Sequence, residues 1–364
     1  MSTHLPKRHK NRKVLLMGKS GAGKSSMRSI IFSNYVAKDV RRLGATIDVE
    51  HSNIRFMGNL TLNLWDCGGQ DGFTESYLTN QRSHVFSAVA VLIFVFDVES
   101  REFNADLVNF ASIITALREH TPNARIFVLI HKMDLIAPDK KEIVFAHRSQ
   151  EIRRVGMENG FGGNAPGAGR EVEFWGTSIW DQSLFKAWTQ VIYHLVPNAG
   201  SIEGLLNQMA EIINAHELVL YERTTCLTVT HVSRSYEETG NPFKDRFEKL
   251  SSILKSHKQS IAKHTGLPAG SANFAELQIK TGRFMFFITR LTENTNLAVV
   301  LPPGEAYFNA ARVNIMLSRG RFEELDINAK SSRTEAQRTL EMTKELDDNM
   351  RMEGSTSSLE RGHG

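Results

Sequence analysis

The eight residues Gly18-Lys19-Ser20-Gly21-Ala22-Gly23-Lys24-Ser25 constrain this chain more than any other stretch. They read G-x-x-x-x-G-K-S, directly after the apolar run Val14-Leu15-Leu16-Met17 and at the start of a helical stretch from Lys24 to Phe32. Strand, glycine-rich loop and helix in that order form a cradle for phosphate. The glycines let successive backbone N–H groups turn toward an anion, and the helix points its positive end at the same place. Lys24 then reaches the β- and γ-phosphates, and the Ser25 hydroxyl ligates Mg²⁺. Ser20, Gly21, Gly23 and Ser26 belong to the same cradle and are read as nucleotide-binding with it. The competing reading is a plain glycine-rich turn between a strand and a helix.

The rest of the chain supplies the scaffold such a loop needs. Val89–Phe96 (VAVLIFVF) is a continuous apolar run, the pattern of a strand buried on both faces. Ile126–Ile130 is another, while Asn53–Phe56 and Leu60–Trp65 read as a hairpin turning at Gly58-Asn59. Leu107, Phe110, Ala111, Ile114 and Leu117 fall at helical spacing, as do Leu184, Trp188, Val191, Ile192 and Leu195. Alternation of this kind predicts an α/β fold, a mainly parallel sheet with helices on both faces. Residues 156–169 hold six glycines and one proline and read as an exposed, mobile loop. The stretch Val196-Pro197-Asn198-Ala199-Gly200 breaks the helix before it and is the predicted domain boundary.

Beyond that boundary the pattern predicts a helix over 201–215, strands near 217–221 and 225–231, and a long helix. Phe243, Phe247, Leu250, Leu254 and Ile261 form that helix's apolar face. Strands at Phe274–Ile279, Arg283–Thr289 and Leu297–Leu301 and a last helix over about 304–319 complete a second α/β module. It carries no motif for chemistry.

Three segments of the first region narrow the ligand. Asp66-Cys67-Gly68-Gly69-Gln70 follows the apolar run ending at Trp65. An aspartate there holds Mg²⁺, usually through water. The N–H of Gly69 can meet the γ-phosphate, and Gln70 can orient the attacking water. A simple turn would have no use for the glutamine. Gly44-Ala45-Thr46 comes 21 residues after Ser25. A threonine there can complete the Mg²⁺ shell while the γ-phosphate is present, which gives a segment ordered in one state and loose in the other. His131-Lys132-Met133-Asp134 stands where nucleotide-binding GTPases carry Asn-Lys-x-Asp. The Asp134 carboxylate can accept two hydrogen bonds from the guanine edge, which adenine cannot donate, so GTP is read over ATP. His131 offers fewer donors and acceptors than the usual amide. Thr177-Ser178-Ile179 closes the last strand of this region and can pack its backbone on the base.

With 364 residues, 41% hydrophobic and 23% charged, the chain has material for two cores. The net charge of +4 is partly local: Lys7, Arg8, Lys10, Arg12 and Lys13 crowd the start. Such a run reads as a solvated arm, with anionic lipid or nucleic acid as alternative partners. Cys67 and Cys226 lie far apart without ligand spacing, so neither a disulfide framework nor a zinc site is expected, and a reducing compartment is. The sequence shows no signal peptide and no apolar run long enough to cross a bilayer. Lipid signals are also missing: Ser2 stands where myristoylation needs glycine, and Arg361-Gly362-His363-Gly364 carries no terminal cysteine.

Taken together, these segments resemble the Rag/Gtr GTPases of the RagA/RagB type. The matching stretches are KVLLMGKSGAGKSSMRSIIF (13–32), RRLGATIDVEHSNIRFMGNLTLNLWDCGGQD (41–71), VFDVES (95–100), HKMDLI (131–136) and TSIWD (177–181). His131 is itself typical of that family. The resemblance covers about residues 12–320. It is looser in the second region, where it rests on element order and scattered matches such as Arg246-Phe247-Glu248-Lys249. It implies a Ras-like P-loop GTPase domain over 13–196 and a roadblock- or longin-like dimerisation domain over 201–322. Flanking them are a basic flexible arm over 1–12 and a charged, disordered tail over 323–364; for these and for the glycine-rich insert the resemblance implies no role.

The resemblance further implies a GTP-driven switch with slow, activator-dependent hydrolysis. GTP or GDP and Mg²⁺ are its cofactors. Gln70 is the catalytic residue, Ser25, Thr46 and Asp66 serve the metal, and Gly69, His131, Asp134 and Ile179 join the phosphate loop in holding the nucleotide. The implied partners are a RagC/RagD-type GTPase paired through the second domain, a lipidated scaffold complex, a GTPase-activating protein and the target-of-rapamycin complex. The implied location is the cytoplasmic face of the lysosomal or vacuolar membrane, held peripherally, and also the cytoplasm. Membrane location borrowed from partners fits the missing lipid signal. The rival readings are a nucleotide-independent scaffold using its second domain, an ATPase or kinase on the same loop, and, ranked last, a nucleic-acid binder. The reading adopted includes no nucleic acid.

Overall fold

A computed structural model of the chain describes residues 10–33, 35–40, 50–55, 60–67, 78–79, 81–161, 172–196, 198–234, 246–266 and 276–325. Six strands make the first sheet: β1 (Lys10–Gly18), β2 (Glu50–Arg55), β3 (Leu60–Asp66), β4 (Val89–Asp97), β5 (Arg125–His131) and β6 (Val172–Thr177). Their spatial order is β2-β3-β1-β4-β5-β6. Only the β2–β3 pair is antiparallel, as the hairpin reading expects; every other neighbour is parallel. The turn read at Gly58-Asn59 lies outside the described residues.

The apolar runs explain the layering. Successive side chains of a strand point to opposite faces. On β4, Val91, Ile93 and Val95 join a core with Met27 and Ile31 of α1 (Lys24–Phe32) and Trp188 of α5 (Ser183–Leu195). Leu92, Phe94 and Phe96 join the opposite core with Phe110 and Ile114 of α3 (Phe103–His120), against which the short α2 (Arg82–Phe86) also packs. A strand covered on both sides has no polar face to show, which is why it reads as unbroken hydrophobics.

Two differences from the sequence reading have clear causes. β1 starts at Lys10, inside the run read as a free arm, because β3 extends to Leu60 and offers its backbone to Lys10. A further helix, α4 (Lys141–Glu158), runs into the start of the glycine-rich stretch. It buries only Ser149, Ile152, Val155 and Gly156. That stripe is too narrow to stand out against the charges around it. The rest of the insert, 162–171, lies outside the described residues.

The second sheet is antiparallel throughout: β7 (Glu217–Glu222), β8 (Thr228–Ser233), β9 (Glu276–Lys280), β10 (Met285–Arg290) and β11 (Thr295–Leu301), in the order β8-β7-β11-β10-β9. Leu218 and Leu220 of β7 share a core with Leu206 of α6 (Ala199–Ile212) and with Phe308 and Ile315 of the last helix, α8 (305–325). Val219 and Tyr221 face the other way, onto Phe247 and Leu254 of α7 (Arg246–Thr265). α8 runs past the expected end near 319. The expected face residue Phe243 and the tail beyond 325 lie outside the described residues.

The two sheets are not separately packed. Val14, Leu16 and Ile93 below the first sheet, Trp188 and Leu195 on α5, and Val232, Leu218 and Phe287 of the second sheet belong to one continuous core. α5 joins them, packing on β6 and β4 on one side and on β8 and α7 on the other.

Candidate functional site

Parallel strands end along one edge of the first sheet, and the candidate residues collect there. β1 ends at Gly18, β3 at Asp66, β5 at His131 and β6 at Thr177. The carboxyl edge of such a sheet is where α/β folds place their ligands.

The loop after β1 is shaped by two glycines. A Cβ on Gly18 (φ +136°) would lie 2.2 Å from the Val95 carbonyl oxygen, so no side chain fits where β1 and β4 run side by side. Gly23 (φ +95°) caps α1, and a Cβ there would meet the His131 ring at 2.8 Å. The phosphate loop therefore rests directly on the residue that opens the His131-Lys132-Met133-Asp134 segment. α1 has no acidic residue in its first turn and no side-chain cap, which leaves its positive end open to an anion. Lys24 is buried, and its ammonium donates to the carbonyls of Gly18 at 2.7 Å and Lys19 at 2.9 Å. Burial lowers its pKa, and the nearby Asp66 opposes the fall. Ser25 and Ser26 follow in the first turn, and Ser20 and Gly21 lie in the loop itself.

Asp66 is fully buried. Arg28 Nε lies 3.2 Å from its Oδ2, but neither carboxylate oxygen accepts a well-aligned hydrogen bond. Burial pushes the carboxyl pKa up; the Ser25 hydroxyl, Arg28 and Lys24 pull it down, and Glu50 adds to the rise. A buried carboxylate with unfilled oxygens, beside a serine hydroxyl, is a donor set that suits a hard cation.

At the other end, His131 is 2% exposed and its Nδ1 lies 3.0 Å from the Thr177 hydroxyl. Burial first, then Lys132, lowers its pKa to about 4, against the pull of Asp134, Asp97 and Asp181, so the imidazole is neutral. Asp134 is exposed, and Ser178 Oγ donates to its Oδ1 at 2.6 Å. Ser178 is held in turn by its N–H, which donates to Ser183 Oγ at 2.9 Å. Ile179 is half-buried against the core next door. Lys132 adopts φ +65° and reaches across to Asp97 Oδ2 at 2.6 Å.

The structure thus brings together Ser20, Gly21, Gly23, Lys24, Ser25, Ser26 and Asp66 at one end of the edge and His131, Asp134 and Ile179 at the other. Thr46, Gly69 and Gln70 lie outside the described residues. Arg28, Lys132 and Ser178 make contacts at this edge that the motifs alone did not assign. Arg28 had a signal: it stands three residues after Ser25 in a helix, and so on the same face. Ser178 had one too, as the polar residue between Thr177 and Ile179 at a strand end. Among the described residues no group of three or more His, Cys, Asp or Glu side chains could hold a metal on its own, and no helix is long and apolar enough to cross a membrane.

Residues 13–254 match the Gtr1/RagA G protein conserved region. The chain is similar to the GTP-binding protein gtr1 of Schizosaccharomyces pombe, at 47% identity over 320 residues, covering 87% of this chain and 97% of that protein. It is similar to the GTP-binding protein GTR1 of Saccharomyces cerevisiae, at 50% identity over 261 residues, 69% of this chain and 82% of the other. A more distant likeness, 24% identity over 337 residues, 88% of this chain and 94% of the other, links it to the GTP-binding protein GTR2 of the same yeast.

Proposed function

Because the chain belongs to the Gtr1/RagA family of G proteins and is a GTPase that binds guanine nucleotide, we propose that it is the A-type half of a paired GTP switch. Its partner is a RagC/RagD- or GTR2-type GTPase, and the pair signals amino-acid sufficiency to the target-of-rapamycin complex. The division into a GTPase domain over 13–196 and a roadblock-type dimerisation domain over 201–322 is part of this proposal, supported by one mainly parallel and one antiparallel sheet. So is a peripheral position on the cytoplasmic face of the lysosomal or vacuolar membrane, held by a lipidated scaffold.

The observation that carries the reading is the alignment of Lys24, Asp66 and the His131–Asp134 segment along one sheet edge. In use, Lys24 leaves the carbonyls of Gly18 and Lys19 for the β- and γ-phosphates, while the loop N–H groups and the open end of α1 take the remaining oxygens. Ser25 and Asp66, with Thr46, would hold Mg²⁺, which when bound supplies positive charge against the phosphate oxygens. Asp134, steadied by Ser178, accepts from the guanine edge, and neutral His131 holds the phosphate loop and the base segment together. Gly69 meets the γ-phosphate and Gln70 orients water, so hydrolysis is slow until an activating protein completes the site. Gln70→Leu is therefore expected to retain GTP in the presence of an activator that clears it from the wild type, as read by the GTP:GDP ratio on the purified protein.

Co-expression with a C/D-type partner tests the whole reading. A one-to-one complex carrying guanine nucleotide is the expected product. A chain that stays single overturns the pairing. A complex devoid of guanine nucleotide overturns the switch and leaves a scaffold in its place.

A further inference from the structure

Helix α1 is held at both ends, and the second hold comes from the other sheet's side of the molecule. Its amino end carries the phosphate loop. At its carboxyl end the last carbonyls lack helical partners, as at any helix terminus. Ser29 O is taken by the N–H groups of Ser33 at 3.0 Å and Tyr35 at 3.3 Å. The carbonyls of Ile30 and Ile31 are met instead by the Lys255 ammonium, at 2.5 and 2.6 Å. Lys255 lies on α7, 224 residues beyond Ile31, and is 2% exposed. α1 has no basic residue of its own in its last turn. The cation that complements its negative end is thus supplied by the second unit.

The surroundings fit a deliberate contact. The Phe185 ring of α5 lies 5.3 Å from the ammonium. Glu222 and Cys226 face Lys255 from the β7–β8 turn, and Lys258 stands one helical turn on, donating to the Arg223 carbonyl. Burial lowers the Lys255 pKa to about 7, with Cys226 and Glu222 opposing the fall and Lys258 adding to it. Burial also pushes the Cys226 thiol up. An ammonium buried at such expense stays only where its hydrogen bonds are made, and here they are made to α1.

We propose that Lys255 is a positioning residue for nucleotide binding, which clamps the second unit onto the carboxyl end of the phosphate-loop helix. Nucleotide retention at one end of α1 and docking of α7 at the other are then coupled. α1 has nine residues, a rod of about 13 Å, short enough for a shift at one end to move the other. Coupling of this kind is reciprocal: what α7 does to nucleotide affinity, nucleotide does to α7 docking. The cleft beside the clamp extends its reach. Tyr35 and Lys38, on the way from α1 toward Thr46, line it together with Ser256 and Lys263 of α7.

Release of a fluorescent GDP from the full-length chain with magnesium present tests the clamp. Lys255→Met keeps the side chain's length and removes its charge and donors, and should release GDP about tenfold faster, the size of a lost charge-assisted contact. Lys255→Arg, which keeps charge and donors, should lie closer to the wild-type rate. Lys249→Met, exposed on the same helix and outside that cleft, should match the wild type. A lower melting temperature in Lys255→Met with an unchanged release rate would make Lys255 a packing residue and overturn the proposal. A second measurement needs no variant: amides of residues 250–258 should exchange hydrogen more slowly with GDP bound than without. Equal exchange overturns the clamp. A wild-type chain that retains no guanine nucleotide overturns the functional reading and the clamp together, whereas retention with an unchanged Lys255→Met rate overturns the clamp alone.

Discussion

Both sheets bury charged and polar side chains, and they treat them in opposite ways. On the first sheet one such set is Lys24, Asp66, His131, Thr177 and Ser178. It gathers along one edge and is left incomplete: the Asp66 oxygens lack aligned donors, and Lys24 borrows loop carbonyls. Beside the second sheet one such set is Glu222, Thr225, Lys255 and Lys258. It is closed within the protein. Glu222 accepts from the N–H groups of Thr224 and Thr225 and from the Thr225 hydroxyl, at 2.6–2.8 Å. Lys255 and Lys258 are spent on backbone carbonyls. Buried polar atoms without partners are expensive, so an incomplete set points to a missing ligand and a complete one to a structural joint.

The largest effect expected concerns where the two regions stop being two. Trp188→Ala truncates a side chain in the core they share and should cost about 3–5 kcal/mol. By calorimetry, a single transition should move down as a unit. Two transitions, with only one displaced, would break the picture of a common core. Next in size, Lys24→Ala should weaken GTP by about 3 kcal/mol, roughly a hundredfold, because a charged contact to two phosphates is lost. The fold should survive, since the two carbonyls that lose a donor lie at the strand end and in the loop and Asp66 keeps Arg28 beside it. A titration showing full affinity would mean that the first set is as closed as the second.

Asp134→Asn should cost GTP about 2 kcal/mol and improve binding of xanthosine triphosphate, whose base presents a carbonyl where guanine presents an amino group. Competition between the two nucleotides reads this directly, and an unchanged preference would remove Asp134 from the base contact. The smallest effect near neutrality belongs to His131. Its pKa falls from 6.5 to about 4 on folding, so between those values the unfolded chain binds the proton and the folded one does not. Its contribution to stability should be complete above about pH 6.5 and decline as pH falls toward about 4. Denaturation of the wild type against His131→Asn isolates the slope. Parallel curves would show that the imidazole is not buried neutral.

The phosphate loop, Asp66 and the His131–Asp134 segment were legible because each is a contiguous word at a strand end, and strand ends in a parallel sheet meet by topology alone. Ser178 was within reach for the same reason. The parallel layering was legible in Val89–Phe96, since a strand buried on both faces leaves no polar residue to mark a side. α4 escaped because four buried positions in 18 residues make a weak stripe. Lys255 escaped for a different reason. In sequence it is a lysine on an amphipathic helix, indistinguishable from exposed Lys249 or Lys263. Only the approach of α1, hundreds of residues away, turns it inward. Local motifs encode chemistry that local backbone can hold; a contact between distant segments has no word of its own.

The junction at 196–199 has a practical meaning for anyone wishing to study the first-sheet half in isolation. Val196 and Ala199, on either side of it, are themselves buried, and α5 hides one flank beneath β8. Severing the chain there would lay open a greasy strip running from Trp188 to Leu195. The fragment would be prone to stick to its own copies, and its poor behaviour in solution would say nothing about its affinity for nucleotide.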